Sequence, residues 1–346
     1  MDRGQRDTEK KVKELEKRLN KEYVQAEKEI QEKLDDYLQR FKLKDQKWQQ
    51  WVKDGTKTQA EYDAWRKDQL AVGREWEQKK NVIAHDLANT NQIARQMTRN
   101  TMPEIFADNV NFETYQIEKD ARIDTSFSLY SRESVERLIK DDPDVLPSVG
   151  KKVAQRIVEG KDVLWNKQQL QSVMIQGILQ GDSIPELATR LSETVGEKNR
   201  KAAIRNARTM ATGAQNAGRV HAFKRAQEIG VELEQMWMAT LDARTRHSHR
   251  WLDGEIRAVG EQFSNGLEYP ADPHGDPSEV YNCRCSLRGV VKGLDRRSGK
   301  YRDTSKMDGM TYDEWRDAKP KSQDILTQER KGKAIKNKHL GEYRRK

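Results

Sequence analysis

The sequence predicts a mainly α protein of the α+β class: an elongated N-terminal helical region, then a small α+β domain, then a basic, loosely ordered tail. Three observations lead there. Apolar residues recur at steps of three and four through most of the chain before Gly230, whereas period-two alternation begins only after it. Hydrophobic residues make up 34% of the sequence against 35% for Asp, Glu, Lys and Arg, which suits helices that bury one narrow stripe. The formal net charge of +9 is confined to one end.

Residues 1–130 read as a charged helical region. Val12, Leu15, Leu19, Tyr23, Ala26, Ile30, Leu34, Leu38 and Phe41 form one stripe between charged residues. The stripe drifts off a strict heptad, which favours packing on a neighbouring helix of the same chain over a coiled-coil seam. Asp54 and Gly55 stop the helical stretch, and Thr58 with Glu61 forms a capping box that starts another, so a helical hairpin is expected. Trp48, Trp51, Trp65 and Trp76 at helical spacings are read as hairpin packing and not as a base-stacking platform. The helical look lasts to Met102 and Pro103, after which no period is clear.

Residues 131–164 are expected to connect this region to a domain over 165–290, because Asp141, Asp142, Pro143, Pro147 and Gly150 punctuate the stretch. Inside the domain, Leu164, Leu170, Val173, Met174 and Ile178 share a helical face ending at Gly181. Ser183 and Glu186 form a second capping box ahead of Leu187 and Leu191. A further helix is expected from about Lys201 to Ile229, with Ala203, Ala207, Ala211, Ala214, Ala217 and Gly218 along a face that admits close approach. Val231, Leu233, Gln235 and Trp237 then alternate as in a half-buried strand, and residues 255–259 and 285–291 are two further strand candidates.

Residues 291–346 form the basic tail, loosely ordered apart from a capping box at Thr311 and Glu314 ahead of Trp315. Residues 287–346 hold 18 Lys and Arg against 9 Asp and Glu, a net of +9, which leaves residues 1–286 neutral. Arg330, Lys331, Lys333, Lys336, Lys338, Arg344, Arg345 and Lys346 suit a polyanion such as double-stranded DNA or an acidic protein surface; a solvated terminus explains the same charge. No apolar run is long enough to span a membrane, and the N-terminus lacks the apolar core of a secretory signal, so a soluble cytosolic chain with no membrane partner is expected.

The residues with chemistry in them gather between Trp237 and Cys285. Both cysteines and three of the six histidines fall there. Two cysteines one residue apart make a strained disulfide, so reduced thiols or thiolate ligands are expected. On a strand, Cys283 and Cys285 point to one face with Arg284 opposite, and His249, with His247 less favoured and His274 also at hand, completes the donor set of a structural zinc site. Two readings stay open: bound zinc, or reduced cysteines packed as small apolar groups. Asp242, Arg244, Arg246, His249 and Asp253 invite comparison with a metal-dependent nuclease. The chain lacks His-Glu-x-x-His, Gly-x-Ser-x-Gly and a phosphate-binding loop, and an internal polar network is favoured, with Asp242 paired to an Arg and His249 capping a turn around Gly254.

Ala207, Arg208 and Thr209, the segment from Trp237 through Asp242, Arg246 and His249 to Asp253 and Gly254, then Phe263, Pro270 and Asn282 to Cys285 together resemble the phage Mu protein F-like family of minor head, or head morphogenesis, proteins. Met210 stands where family members often carry an acidic residue. The resemblance implies a non-enzymatic minor capsid protein of a tailed phage or prophage, associated with the portal protein and with capsid or scaffold proteins, acting in procapsid assembly, DNA packaging or DNA delivery. It implies a location in the virion head, and in the host cytoplasm during assembly. The alternative is a phage-encoded enzyme, such as a metal-dependent nuclease centred on the Asp, His and Cys cluster. Among cofactors only zinc is suggested.

Overall fold

The charged stripe that opens the chain becomes one uninterrupted helix. In the computed structural model, which describes residues 1–125, 127–146, 160–294, 302–303 and 309–320, helix α1 spans Arg3–Lys53. Its stripe is the buried face, with Leu15, Leu19, Tyr23, Ile30, Leu34 and Leu38 sealed from solvent. Helix α2 spans Gln59–Arg66 and opens on the expected capping box, in which the Thr58 side chain accepts from the Glu61 N–H and the Glu61 carboxylate accepts from the Thr58 N–H. A π-helical turn over Lys67–Val72 leads to α3, Arg74–Ala121.

Helix α3 corrects the sequence reading, since it runs straight through Pro103 for a further eighteen residues. Proline removes one ladder hydrogen bond, but Met102, Ile105, Phe106, Val110, Phe112, Tyr115 and Ile117 around and beyond it are all buried. A helix enclosed on most sides has no polar face and therefore no amphipathic period to detect. After α3 come β1 (Ile123–Asp124), α4 (Arg132–Asp141), α5 (Lys161–Leu179) and α6 (Ile184–Glu228). Helix α4 occupies part of the expected connecting segment. Helix α6 joins two expected helices into one, because only Gly196 lies between them and a single interior glycine costs about 1 kcal/mol.

The remaining elements are β2 (Val231–Met238), α7 (His247–Trp251), β3 (Ile256–Ala258), α8 (Pro277–Val280), β4 (Ser286–Leu294), β5 (Arg302–Asp303) and α9 (Tyr312–Ala318). The three strands expected from period-two alternation form one antiparallel sheet in the order β3-β2-β4, and β1 pairs with β5. The fold is mainly α with this small sheet, in agreement with the class read from the sequence.

The chain divides into two compact units, each built from separated stretches. One comprises Glu14–Thr98 and Val149–Ala207. Its core joins Ile30, Leu34 and Leu38 of α1, Trp76, Ile83 and Leu87 of α3, Leu170 and Met174 of α5, and Leu187, Leu191 and Val195 of α6. The tryptophans serve the hairpin as expected: Trp48 stacks on Trp65 with ring centroids 5.4 Å apart, and Trp76 donates to Gln171 Oε1 at 2.7 Å.

The other unit comprises Met1–Lys13, Arg99–Ser148 and Arg208–Lys346, and it contains the sheet. The Ala face of α6 is buried here at Ala211, Ala214 and Ala217, and Gly218 lies so close to α3 that a Cβ would sit 2.6 Å from the Phe106 carbonyl oxygen. Gly289 of β4 makes the same kind of approach to Phe223 of α6, at 2.9 Å. Within the tail, the capping box expected at Thr311 and Glu314 opens a helix. Helix α9 is capped by Thr311 and buries Tyr312 and Trp315, and the Trp315 indole donates to Glu118 Oε2 at 2.6 Å. Two aromatic rings supply enough apolar area to hold a seven-residue helix in place. The tail cations Arg330, Lys331, Lys333, Lys336, Lys338, Arg344, Arg345 and Lys346 lie outside the described residues.

Candidate functional site

Helix α6 carries a polar seam inside its small-residue face, and that seam holds the cysteine loop. Thr209 Oγ1 accepts from the Asn282 N–H at 3.1 Å, and Thr212 Oγ1 donates to the Cys283 carbonyl at 2.9 Å. One turn on, Asn216 Nδ2 donates to the carbonyls of Pro270 and Cys285 at 3.1 and 3.2 Å, and its Oδ1 accepts from the Leu287 N–H at 2.9 Å. Spacings of three and four place these side chains above one another on the helix. Asn282 adopts φ +58°, a left-handed conformation that asparagine tolerates better than most residues, and it turns the chain just before Cys283.

Both cysteines precede β4 and do not sit within it, yet both side chains point inward while Arg284 points out, as alternation requires. His249 is brought to them by the short helix α7. Its Nδ1 lies 3.6 Å from Cys283 Sγ and 3.5 Å from Cys285 Sγ. The ring is fixed by Trp237 of β2, edge to face at 5.3 Å between centroids, and Trp237 meets Phe263 in the same manner at 5.2 Å. His249, Cys283 and Cys285 are respectively 1%, 2% and 1% exposed, so bulk water does not reach them. Each offers a ligand atom within 4.8 Å of the others, and this is the donor set able to hold a metal ion among the described residues.

The outer nitrogen of the imidazole, Nε2, lies 2.9 Å from Glu279 Oε2, an ion-pair separation without the alignment of a good hydrogen bond. Glu279 sits on α8 and is itself held by Ser248 Oγ, 3.1 Å from each carboxylate oxygen, and by Asn265 Nδ2 at 3.4 Å. Hydrogen bonding from Cys283 draws Cys285 down towards thiolate, with His249 and the Thr240 N–H adding to it, while the same contact and burial push Cys283 up.

Asp242 stands apart from this inner cluster. Its carboxylate takes both guanidinium nitrogens of Arg284 at 2.6 Å and the Arg244 N–H at 2.9 Å, and the bidentate Arg284 contact holds its pKa well below the usual carboxylate range. The arginine partner is therefore Arg284, which lies 42 residues away in sequence. Arg246 instead reaches the main-chain carbonyls of Glu279 and Tyr281. Asp253 Oδ1 accepts from the Ala239 N–H at 2.9 Å and closes the excursion between β2 and β3, where Gly254 takes φ +81°.

Residues 168–288, which contain this whole arrangement, match the family described as Phage Mu protein F like protein. The chain is also 28% identical over 285 residues to Minor head protein GP7 of Bacillus phage SPP1, across 81% of this chain and 87% of that protein. It is 30% identical over 204 residues to NAD(+)--arginine ADP-ribosyltransferase EFV of Enterococcus faecalis, across 58% of this chain and 40% of that protein. An uncharacterized protein of Haemophilus influenzae is 32% identical over 120 residues, 34% of this chain and 23% of its own length. The chain thus spans less than half the length of these last two relatives. No solved structure matches it.

The Mu F-like domain brings His249, Cys283 and Cys285 into one knot and leaves the other expected members around it. His249 does not cap a turn around Gly254, as the sequence suggested, because burial against Trp237 turns its ring to the thiols. His247 is exposed and faces Trp251, and His274 is 76% exposed beside Asp272. Glu279, Thr212 and Asn216 were missed from sequence. Polar residues at helical spacing on an otherwise Ala-rich face were the available signal for Thr212 and Asn216, and Asp276-Pro277, a helix-start pair, marked the turn that carries Glu279.

Proposed function

We propose that this chain is a minor head protein of a tailed phage or prophage, a component of the virion head that acts by assembly and shape. The observation that carries the reading is the similarity to Minor head protein GP7, which extends far beyond the Mu F-like domain and takes in most of both proteins. The finer role follows as part of the same proposal: association with the portal protein and with capsid or scaffold proteins during procapsid assembly, DNA packaging or delivery, beginning in the host cytoplasm. The positive charge of residues 287–346 suits contact with packaged double-stranded DNA or with an acidic protein surface.

The site geometry supports a structural role. A hydrolase needs acid and base groups facing a common space that substrate can enter. Here Asp242 is neutralised by Arg284 on the outer side, while His249 and both thiols are enclosed on the inner side. ADP-ribosyl transfer is named for the enterococcal relative, of which this chain matches 40%.

Co-expression with portal and major capsid proteins from the same genome tests the proposal. The chain is expected to co-purify with portal and to be present in purified heads; its absence from both sinks the reading. The purified chain is expected to neither consume NAD nor cleave DNA with added zinc or magnesium. Turnover lost in a folded His249→Ala variant moves the assignment to the enzyme.

A further inference from the structure

We propose that His249 Nδ1, Cys283 Sγ and Cys285 Sγ bind a zinc ion that locks the Mu F-like domain together. The distances are the first support. Zinc with bonds of about 2.3 Å to sulfur and about 2.0 Å to nitrogen at a tetrahedral angle sets sulfur and nitrogen about 3.5 to 3.6 Å apart. The observed separations are 3.6 and 3.5 Å. A single two-centre thiol-to-imidazole hydrogen bond accounts for one of these approaches, whereas two sulfurs converge on the same ring nitrogen.

The surroundings supply what a buried zinc-thiolate site needs. Glu279 Oε2, 2.9 Å from Nε2, stands behind the imidazole as a carboxylate does behind a ligating histidine, and a zinc-bound ring would present Nδ1 to the metal with its proton on Nε2. Two thiolates neutralise the dication, so the enclosed centre carries no net charge and avoids the penalty of a buried ion. Both cysteine carbonyls are already anchored by Thr212 and Asn216, so little ordering remains to be done on binding.

Among the described residues the cluster comprises three donors, so a single enclosed water would complete the tetrahedron. Zinc would tie α7 to the lead-in of β4 and fasten the long excursion between β2 and β4 onto α6. That role is independent of whether the chain resides in a phage head.

The test uses the full chain. Purified from zinc-supplemented cells, it is expected to carry about one zinc per molecule, and cobalt loading is expected to give the intense near-ultraviolet band of thiolate-to-cobalt charge transfer. Cys283→Ser with Cys285→Ser should lose both. Because that variant is able to unfold the domain outright, Glu279→Gln gives a second measurement: as a positioning change it should keep the fold and weaken zinc about 10- to 100-fold. Substoichiometric zinc with no charge-transfer band in the wild type overturns the proposal. So does zinc retained by the double serine variant, or an intact mass showing a Cys283–Cys285 disulfide.

Discussion

The guanidinium of Arg219 on α6 and the carboxylate of Glu113 on α3 lie 3.5 Å apart, with side chains only 1% and 2% exposed. Arg219 also donates to the Leu287 carbonyl at 2.6 Å and to Asp2 Oδ1 at 2.8 Å, and Glu113 accepts from the Gly289 N–H at 3.0 Å. The pair therefore joins the start of α1, α3, α6 and β4 within one compact unit. Burial pushes the Glu113 pKa up against the pull of Arg219, so the carboxylate depends on its partner to stay charged.

Arg219→Leu should lower unfolding free energy by about 3 to 5 kcal/mol, because it leaves Glu113 buried and uncompensated. Arg219→Leu combined with Glu113→Leu should recover much of that loss. Chemical denaturation of the wild type and the two variants checks this; equal loss in the single and double variants would count against the pair as the cause.

Gly218→Ala places a Cβ 2.6 Å from the Phe106 main-chain oxygen, an atom that cannot rotate away. The helices must separate, and a cost of about 1 to 3 kcal/mol is expected despite the better helix propensity of alanine. A gain in melting temperature would show that α3 and α6 are not in close contact at this position.

His221 predicts a pH dependence. Its Nε2 lies 3.0 Å from the Tyr130 hydroxyl, and burial, helped by the charges of Arg225 and Lys224, lowers its pKa from 6.5 to about 4. Between those values the unfolded chain takes up a proton that the folded chain refuses, so this residue makes stability fall as pH drops through the window. His221→Gln should flatten that part of the curve. Melting temperatures of both proteins from pH 7 to pH 4 test it: parallel curves would rule the residue out.

Trp315→Ala should cost about 3 to 5 kcal/mol, the range for emptying a large buried site. It also strips the indole donor from Glu118, which Lys319 still reaches at 3.0 Å. A stability change below about 1 kcal/mol, the size typical of an exposed position, would mean that α9 does not dock.

Local chemistry was readable where neighbours in sequence are neighbours in space. The capping boxes at Thr58 and Thr311 and the alternation of Val231, Leu233, Gln235 and Trp237 needed no tertiary information, because caps and strand faces are set within a few residues. The continuation of α3 past Pro103 was not readable, since a helix buried on most sides carries no periodic signal.

The same division runs through the site. Sequence by itself determined that Asp242, His249, Cys283 and Cys285 belong to one domain, and that the cysteines face one way with Arg284 the other, since alternation along an extended chain demands it. Only the tertiary structure decided that His249 goes inward to the thiols while Asp242 goes outward to Arg284, and that Glu279 stands behind the imidazole. Those choices are made by contacts across 30 to 42 residues, where burial against Trp237 and the polar seam of α6 determine which partners meet, and no local rule of spacing encodes them.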